Sequence, residues 1–338
     1  MKLGTSLRFV FPTSPDTYPT FRAALDALPK GGFIERPMGA MSTGDQARNL
    51  VEATVAAREA GLDMLLVGDH HAVPPGYANA FSPVPTLARL MPSAGRMPLG
   101  MVLLAPFYNP VLLAEQIGTL AAFAEAPLTI ALALGQGERQ FTAFGMEETS
   151  RVGRLEELLA ALRAMLDGEP ATVPGRYHSL DRVQAGPTPR VPVSIWVAGT
   201  VRTAAARAGR LGDGWLTGQN ATRTDLVEQL DAYRESAARH GREPLPVLRR
   251  DIFVGSSDAE AESVVEKILA EGYRGVGMDQ LLVGAPETVV QQLEEYRALG
   301  FEHVLVRHIV GEQQLMLDSF RRIGAEVVPR VHNLPTSR

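Results

Sequence analysis

Cysteine is absent from the 338-residue sequence. Disulfide bonds, thiolate nucleophiles and cysteine metal sites are therefore excluded. The sequence also lacks an apolar run near the roughly 20 residues that a membrane-spanning helix needs. Met1–Pro12 lacks the basic start and the long apolar stretch of a signal peptide. We therefore expect a cytoplasmic protein with no membrane contact and no metal site.

A strong charge of either sign is also missing. The chain has 33 Lys and Arg residues against 38 Asp and Glu residues, a net charge of −5, and its basic residues are scattered. A nucleic-acid partner is therefore not expected. The 45% hydrophobic and 21% charged residues are typical of a globular protein. We predict a single domain over residues 1–338.

Apolar runs of strand length alternate with longer amphipathic segments along the chain. The predicted strands are Leu3–Val10, Met64–Val67, Leu99–Leu104, Leu128–Leu134, Val193–Ala198, Asp213–Thr217, Val247–Val254 and His303–Val306. Helices between successive strands imply parallel pairing, because each crossover returns the chain to the same end of the sheet. Eight such units predict an α/β fold of the (β/α)8 TIM-barrel type. An open doubly wound sheet is the alternative.

Two segments are too long for a minimal strand–helix unit. Thr13–Gly44 follows the first strand, and Gly168–Pro192 follows the helix after the fourth strand; both contain several prolines and glycines. Loops of this length often act as lids or binding loops. We expect Thr13–Gly44 to be an insertion that covers the active site.

Residues that follow the strands are the candidates for chemistry, because barrel active sites lie at the C-terminal ends of the strands. Asp69, His70 and His71 follow the second strand. Histidine is the side chain whose proton moves most readily near neutral pH. Two adjacent rings on extended backbone point in different directions and are not expected to share a metal ion. A packing role, with Asp69 capping a turn, is equally compatible with this segment.

Two glycine-containing segments follow later strands. Gly199–Thr203 opens a helix, and the backbone amides of a helix N-terminus bind phosphate. The alternative is an ordinary helix start capped by Thr200. Gly135–Gly137 resembles a dinucleotide fingerprint only superficially, because position 140 is Gln and no acidic residue follows a second strand at the right distance. A nicotinamide site is therefore not expected.

The order of several motifs resembles that of the luciferase-like, flavin-dependent monooxygenase family. These motifs are Glu59–Asp63 leading into Gly68–His71, then Phe141–Gly145, Gly175–His178, Val193–Gly199, Ala205–Leu216 and Val283–Glu287. The resemblance covers nearly the whole chain, and the ordered set is specific although no single motif is decisive.

This resemblance implies FMN, or its 5-deazaflavin relative, at the C-terminal rim of the barrel. His70 matches the catalytic histidine beside the flavin ring, Gly199–Thr203 matches the phosphate loop, and Met101–Val102 lies where the family has a strained, often cis, peptide. Cofactor contacts are expected from Asp69, Met101, Val102, Gly135, Gln136, Gly137, Ala198, Gly199, Thr200, Val201, Arg202 and Thr203. Substrate contacts are expected from Phe11, His71, Tyr108, Trp215 and Arg307, although a strand tryptophan is more often a core residue.

At several positions the sequence departs from the pattern of one branch of the family and is more similar to another. Ala133 and Leu134 stand where bacterial luciferases have Cys and Arg, so light emission is not expected. Gly135–Glu138 and Tyr108–Pro110 resemble deazaflavin-dependent sugar-phosphate dehydrogenases, in which the residue matching Glu138 is a proposed catalytic proton donor. The His70–His71 pair and the Phe141–Gly145 segment are more similar to the FMN branch.

The resulting hypothesis is a two-component monooxygenase. A partner flavin reductase would supply reduced FMN, O2 would be the oxidant, and a small organic substrate would be oxidised in a water-excluding mouth with His70 handling the proton. Deazaflavin-dependent hydride transfer, with Glu138 or His70 handling the proton, is the alternative, and a non-catalytic flavin-binding barrel is a second one. The resemblance also implies a homodimer.

Overall fold

The computed structural model describes residues 1–7, 10–11, 41–72, 79–270, 273 and 276–333. Its strands are β1 (Lys2–Ser6), β2 (Val10–Phe11), β3 (Leu65–Val67), β4 (Asn79–Ala80), β5 (Leu99–Leu104), β6 (Leu128–Ala133), β7 (Ala171–Pro174), β8 (Ser179–Val183), β9 (Val193–Ala198), β10 (Gly214–Leu216), β11 (Pro246–Val254), β12 (Leu282–Gly284) and β13 (His303–His308). Its helices are α1 (Thr43–Glu59), α2 (Pro83–Ala94), α3 (Pro110–Phe123), α4 (Glu138–Ala143), α5 (Arg151–Leu166), α6 (Arg202–Leu211), α7 (Arg223–Arg239), α8 (Asp258–Ala270), α9 (Pro286–Ala298), α10 (Gln313–Arg322) and α11 (Val328–His332).

Eight parallel strands close into a barrel. Their order is β10-β9-β6-β5-β3-β1-β13-β11, and β10 also pairs with β11. This closure confirms the predicted (β/α)8 barrel and excludes the open sheet. The short β12, which was not predicted, pairs with the outer end of β11, where Ile252 is opposite Leu282.

Helix α2 was also missed, because prolines usually argue against a helix. Pro83 and Pro85 lie in its first turn, where a backbone N–H has no helical partner and proline is therefore tolerated. Helix α3 has the start that its sequence suggests: Pro110 is its first residue, and the side chain of Asn109 accepts hydrogen bonds from the next two available N–H groups.

The two predicted insertions have different outcomes. Residues 12–40 lie outside the described residues, so a lid there stays a prediction. The insertion ends before Gly44, because α1 begins at Thr43 after the capping residue Ser42. Within Gly168–Pro192, β7 and β8 form an antiparallel hairpin. A single domain over residues 1–338 also stays a prediction.

Strand alternation divides the core into two layers. An inner cluster inside the barrel comprises Leu66, Val102, Ala131, Trp196, Leu216, Val247 and Leu305. The neighbouring strand residues, such as Leu65, Met101 and Trp215, belong to the larger cluster between the sheet and the helices. Continuing the alternation past Val247 and Leu305 directs Arg249, Asp251 and Arg307 inward at the C-terminal end of the barrel.

Candidate active site

A buried carboxylate connects the ends of two adjacent strands at this rim. The side chain of Asp69, after β3, is only 1% exposed. Its Oδ2 accepts hydrogen bonds from the backbone N–H of Leu104, at 3.0 Å, and from the hydroxyl of Tyr108, at 2.9 Å. Burial, and secondarily the charge of Asp69, raises the pKa of Tyr108, which therefore stays a hydrogen-bond donor. These contacts fix the Asp69 side chain between β3 and β5.

His71 completes this network. Its Nε2 lies 3.1 Å from Oδ1 and 3.2 Å from Oδ2 of Asp69. The rings of Phe107 and Phe144 stand edge-on to the imidazole, with centroids 5.3 and 5.1 Å away. His71 therefore lies in an aromatic wall with a carboxylate behind it. The sequence predicted this histidine segment as a candidate site but could not show which of the two imidazoles contacts Asp69.

His70 has a different partner. Its side chain is half-buried, and its Nδ1 contacts the backbone carbonyl oxygen of Asp69. Because a carbonyl oxygen only accepts hydrogen bonds, Nδ1 is the donor in this contact. His70 and His71 are thus brought to the same rim in different environments.

Hydrogen bonds connect the segment after β6 to the segment that contains His70 and His71. Gly135 and Gly137 have φ angles of +69° and +97°, a backbone region that favours glycine. From α4, Arg139 Nε donates to the carbonyl of Ala72 at 3.0 Å, and Gln140 Oε1 accepts from the backbone N–H of His71 at 3.2 Å. The structure therefore brings Gly135–Glu138 beside the histidines, and Glu138 itself is exposed.

The loop after β9 leads into a helix whose first N–H groups have no side-chain cap. Helix α6 begins at Arg202, and its N-cap residue is Val201, which makes no side-chain capping hydrogen bond. The interpretation of Thr200 as an ordinary cap is therefore wrong. A Cβ at Gly199 would lie 2.8 Å from Cβ of Ala204, so the loop approaches the helix as closely as only glycine allows. Thr200–Thr203 is exposed, and such a terminus suits a phosphate.

A buried ionic cluster occupies the opposite side of the barrel mouth. Arg307 Nε lies 3.2 Å from Oδ1 of Asp251, and both side chains are at most 3% exposed. The hydroxyl of Tyr273 lies 2.6 Å from Arg307 Nη2 and 2.8 Å from Asp251 Oδ2. Arg307, a predicted substrate contact, therefore belongs to a compact buried cluster near the C-terminal end of β13. Asp251 and Tyr273 were not predicted from the sequence.

A second arginine, Arg250, supports the rim from the outer side of the sheet. Arg250 is fully buried and points away from the barrel interior; it donates to the carbonyls of Gln219 and Ala221 at 3.2 and 2.7 Å. It thereby holds the loop after β10. The only sequence signal for these roles was a charged triplet, Arg249–Asp251, inside an otherwise apolar strand.

The structure corrects two of the predicted site positions, and a third lies outside the described residues. Trp215 does not line the mouth: it is fully buried behind the sheet, stacks near Tyr233, and donates from Nε1 to the carbonyl of Gly199 at 3.1 Å. In the described chain the cis peptide is Gly186–Pro187, so the expected cis bond at Met101–Val102 is absent. Met101 points outward and Val102 inward. The side chain of Phe11 lies outside the described residues.

The described ranges contain neither a candidate metal cluster nor a candidate membrane-spanning helix. No cluster of three or more His, Asp or Glu side chains there has the proximity that a metal ion needs. No helix in that part of the chain is long and apolar enough to cross a membrane.

Comparison with known proteins places this geometry in context. A family model described as luciferase-like monooxygenase matches residues 31–278. An F420-dependent glucose-6-phosphate dehydrogenase of Beutenbergia cavernae is 32% identical over 324 residues, covering 84% of this chain and 93% of the relative. F420 is a deazaflavin.

Solved structures resemble the fold at lower identity. The monooxygenase RslO1 from Streptomyces bottropensis has a TM-score of 0.80 at 20% identity, covering 98% of this chain and 99% of that one. The oxygenating constituent of 3,6-diketocamphane monooxygenase from Pseudomonas putida, in complex with FMN, has a TM-score of 0.70 at 18% identity, with 88% and 96% covered. At these identities the likeness concerns the fold alone.

Proposed function

Because this chain belongs to the luciferase-like monooxygenase family and is therefore an enzyme, we propose that it is a deazaflavin-dependent oxidoreductase that takes hydride from a small alcohol. The observation that carries this proposal is the 32% identity, over 84% of the chain, to a relative named as an F420-dependent dehydrogenase. The Gly135–Glu138 and Tyr108–Pro110 motifs support it. The non-catalytic alternative has no support.

The residues at the rim fit such a cofactor. The uncapped start of α6, with Gly199 close to Ala204 and Arg202 exposed beside it, provides N–H donors and positive charge for a phosphate. Trp215 supports this loop from behind through the carbonyl of Gly199. A bound deazaflavin supplies a hydride acceptor.

The chain's own residues would then handle the hydroxyl proton. His70 and Glu138 are the candidates that the family resemblance supplies. Asp69 and Tyr108 hold the histidine segment against β5. The inward-facing Arg307–Asp251–Tyr273 cluster forms the opposite wall, where we place substrate contacts.

A second candidate function is the two-component FMN monooxygenase, which uses O2 and a partner flavin reductase. The His70–His71 pair and the Phe141–Gly145 segment favour it, because they are more similar to the FMN branch. Both candidates share the phosphate loop, so the loop does not separate them. A homodimer remains a proposal under either function.

Equilibrium binding of the deazaflavin and of oxidised and reduced FMN tests the choice. Trp196 lies inside the barrel and is 2% exposed, so quenching of tryptophan fluorescence should report a ligand at the mouth. We expect selective deazaflavin binding, followed by oxygen-independent cofactor reduction with glucose 6-phosphate or 2-propanol. Selective binding of reduced FMN, with oxygen consumption, would replace this function by the monooxygenase.

A further inference from the structure

Two buried side chains hold consecutive carbonyl groups of the loop after β9. The indole Nε1 of Trp215, on β10, donates to the carbonyl oxygen of Gly199 at 3.1 Å. The side-chain amide Nε2 of Gln229, on α7, donates to the carbonyl oxygen of Thr200 at 3.3 Å. Trp215 is fully buried and Gln229 is 5% exposed, so both donors approach the loop from the inside of the protein.

These contacts set the direction of the next two N–H groups. In a trans peptide, the C=O of one residue and the N–H of the following residue point in opposite directions. The N–H of Thr200 therefore points away from Trp215, and the N–H of Val201 points away from Gln229. Thr200 and Val201 are exposed, and neither N–H donates a hydrogen bond to another of the described residues. Two adjacent donors are thus presented on the exposed side of the loop.

Close packing makes this support rigid. A Cβ at Gly218 would lie 2.8 Å from Cγ2 of Thr200, so the loop after β10 packs directly against the Thr200 side chain. A Cβ at Gly209, on α6, would lie 2.5 Å from the backbone oxygen of Tyr233, on α7. Because α6 and α7 are so close, Gln229 is held at a fixed position relative to the loop that leads into α6.

Stability alone does not explain an amide at position 229. Oε1 of Gln229 is buried and has no hydrogen-bond partner in the part of the chain that the structure describes. A buried polar group that is paired at one end only contributes little net stability. Its neighbours on the same buried face of α7 include Leu226, Leu230 and Tyr233, so an apolar side chain would pack there without an unpaired oxygen. The contact with the carbonyl of Thr200 is the better explanation of the amide.

We infer that Gln229, together with Trp215, is a positioning residue for the cofactor phosphate. By holding two successive carbonyls, the two side chains turn the N–H groups of Thr200 and Val201 toward that phosphate. This inference rests on the phosphate loop of the proposed function, but not on the reaction, because the deazaflavin and FMN candidates share the loop. Both side chains act through the backbone, so their loss should weaken recognition of the phosphate and leave recognition of the ring unchanged.

Two ligands that differ only in the phosphate isolate this effect. 5-Deaza-FMN carries the phosphate and 5-deazariboflavin lacks it, so the ratio of their Kd values measures phosphate recognition. Gln229→Met removes the donor to Thr200 and keeps an unbranched side chain. We expect the preference for the phosphate-bearing ligand to fall about tenfold or more, as for the loss of a hydrogen bond to a charged group. The Kd for 5-deazariboflavin and the melting temperature should stay near those of the parent. Trp215→Phe, which removes the donor to Gly199, should lower the same preference.

Gln292→Met is the matched control. The side-chain amide of Gln292, on α9, accepts from the backbone N–H of Val283 at 3.1 Å and donates to the carbonyl of Val283 at 3.0 Å. Because both ends of this amide are paired and neither contacts the phosphate loop, Gln292→Met should lower the melting temperature and leave the phosphate preference unchanged. A Gln229→Met protein that keeps the preference of the parent would overturn the inference, and so would a parent that binds the two ligands equally.

Amide NMR of the parent tests the two donors without any variant. Inorganic phosphate should shift the N–H resonances of Thr200 and Val201, whereas chloride at the same ionic strength should not. The absence of these shifts would overturn the inference even if Gln229→Met does not fold. A parent that reduces no deazaflavin with glucose 6-phosphate or 2-propanol would remove the proposed function alone, because the Kd values of FMN and riboflavin then test the same preference.

Discussion

The hydroxyl of Tyr108 donates a 2.9 Å hydrogen bond to Oδ2 of Asp69. This bond joins the end of β5 to the end of β3 and, together with the N–H of Leu104, supplies donors to Oδ2 of a carboxylate that is almost completely buried. An ionised group in such a place is costly unless its lone pairs are occupied. The stability of the rim should therefore depend on Tyr108.

Tyr108→Phe should lower the free energy of unfolding by about 1.5–3 kcal/mol, the usual value of a hydrogen bond to a charged group. Urea denaturation at neutral pH measures it. Tyr177→Phe, in the β7–β8 turn, is the control, because its hydroxyl makes no contact with Asp69. A Tyr108→Phe protein as stable as the parent would mean that water replaces the hydroxyl.

Tyr108 should also weaken the fold at alkaline pH. Its pKa is raised in the folded state, mainly by burial and then by Asp69. The stability linked to the protonated phenol is therefore complete below the unfolded pKa of about 10 and declines as the pH rises above it. Tyr108→Phe should show a shallower loss of stability over that alkaline range.

Glu157 anchors the β7–β8 hairpin to α5. Its carboxylate accepts the backbone N–H groups of Arg176, Tyr177 and His178 at 2.7–2.9 Å. Burial alone would raise the pKa of Glu157, but these three donors together lower it. The interaction should therefore stabilise the fold above about pH 4.5 and be lost as the pH falls through the folded pKa.

Glu157→Ala should cost roughly 1–2 kcal/mol of unfolding free energy near neutral pH, and less in acid. Glu156→Ala is the matched control on the same helix; its partly exposed pairs with Arg207 and Arg210 are expected to contribute about 0–1 kcal/mol. Equal effects of the two substitutions at every pH would contradict the anchoring role.

The sequence predicts the barrel well because its strands are apolar and its helices amphipathic, and both patterns are local. It misses β12 because Leu282–Gly284 is too short to have a recognisable pattern. It places Trp215 in the mouth because nothing local shows which face of a three-residue strand points inward; that face is set by the pairing of β10 with β9 and β11.

The candidate site likewise has residues that the sequence predicts and contacts that it does not. Asp69, His70 and His71 can be found because they are adjacent and follow a strand. The choice of His71 as the partner of Asp69 depends on side-chain direction, and the contact of Asp251 with Arg307 joins residues 56 positions apart. Such contacts exist only after the barrel closes.

Arg307 and Asp251 should be strongly coupled, because they are directly opposite on β13 and β11 and are buried. Arg307→Met or Asp251→Asn alone should cost about 3–5 kcal/mol, since each leaves part of a buried ionic cluster unpaired. The double variant should be more stable than the sum of the single losses predicts. Additive losses in urea denaturation would show that the two side chains act independently.

Cofactor binding should require a residue without a side chain at position 199. In Gly199→Ala the new Cβ would lie 2.8 Å from Cβ of Ala204, closer than such atoms come, so the first turn of α6 has to shift away from the loop. Because the N–H groups of that turn are the expected phosphate ligands, the Kd for the deazaflavin should rise about tenfold or more, which corresponds to at least ~1.4 kcal/mol. Gly44→Ala is the control, since its nearest neighbour would be 3.6 Å away. Fluorescence titration of both folded variants decides: an unchanged Kd in Gly199→Ala would place the phosphate elsewhere on the rim.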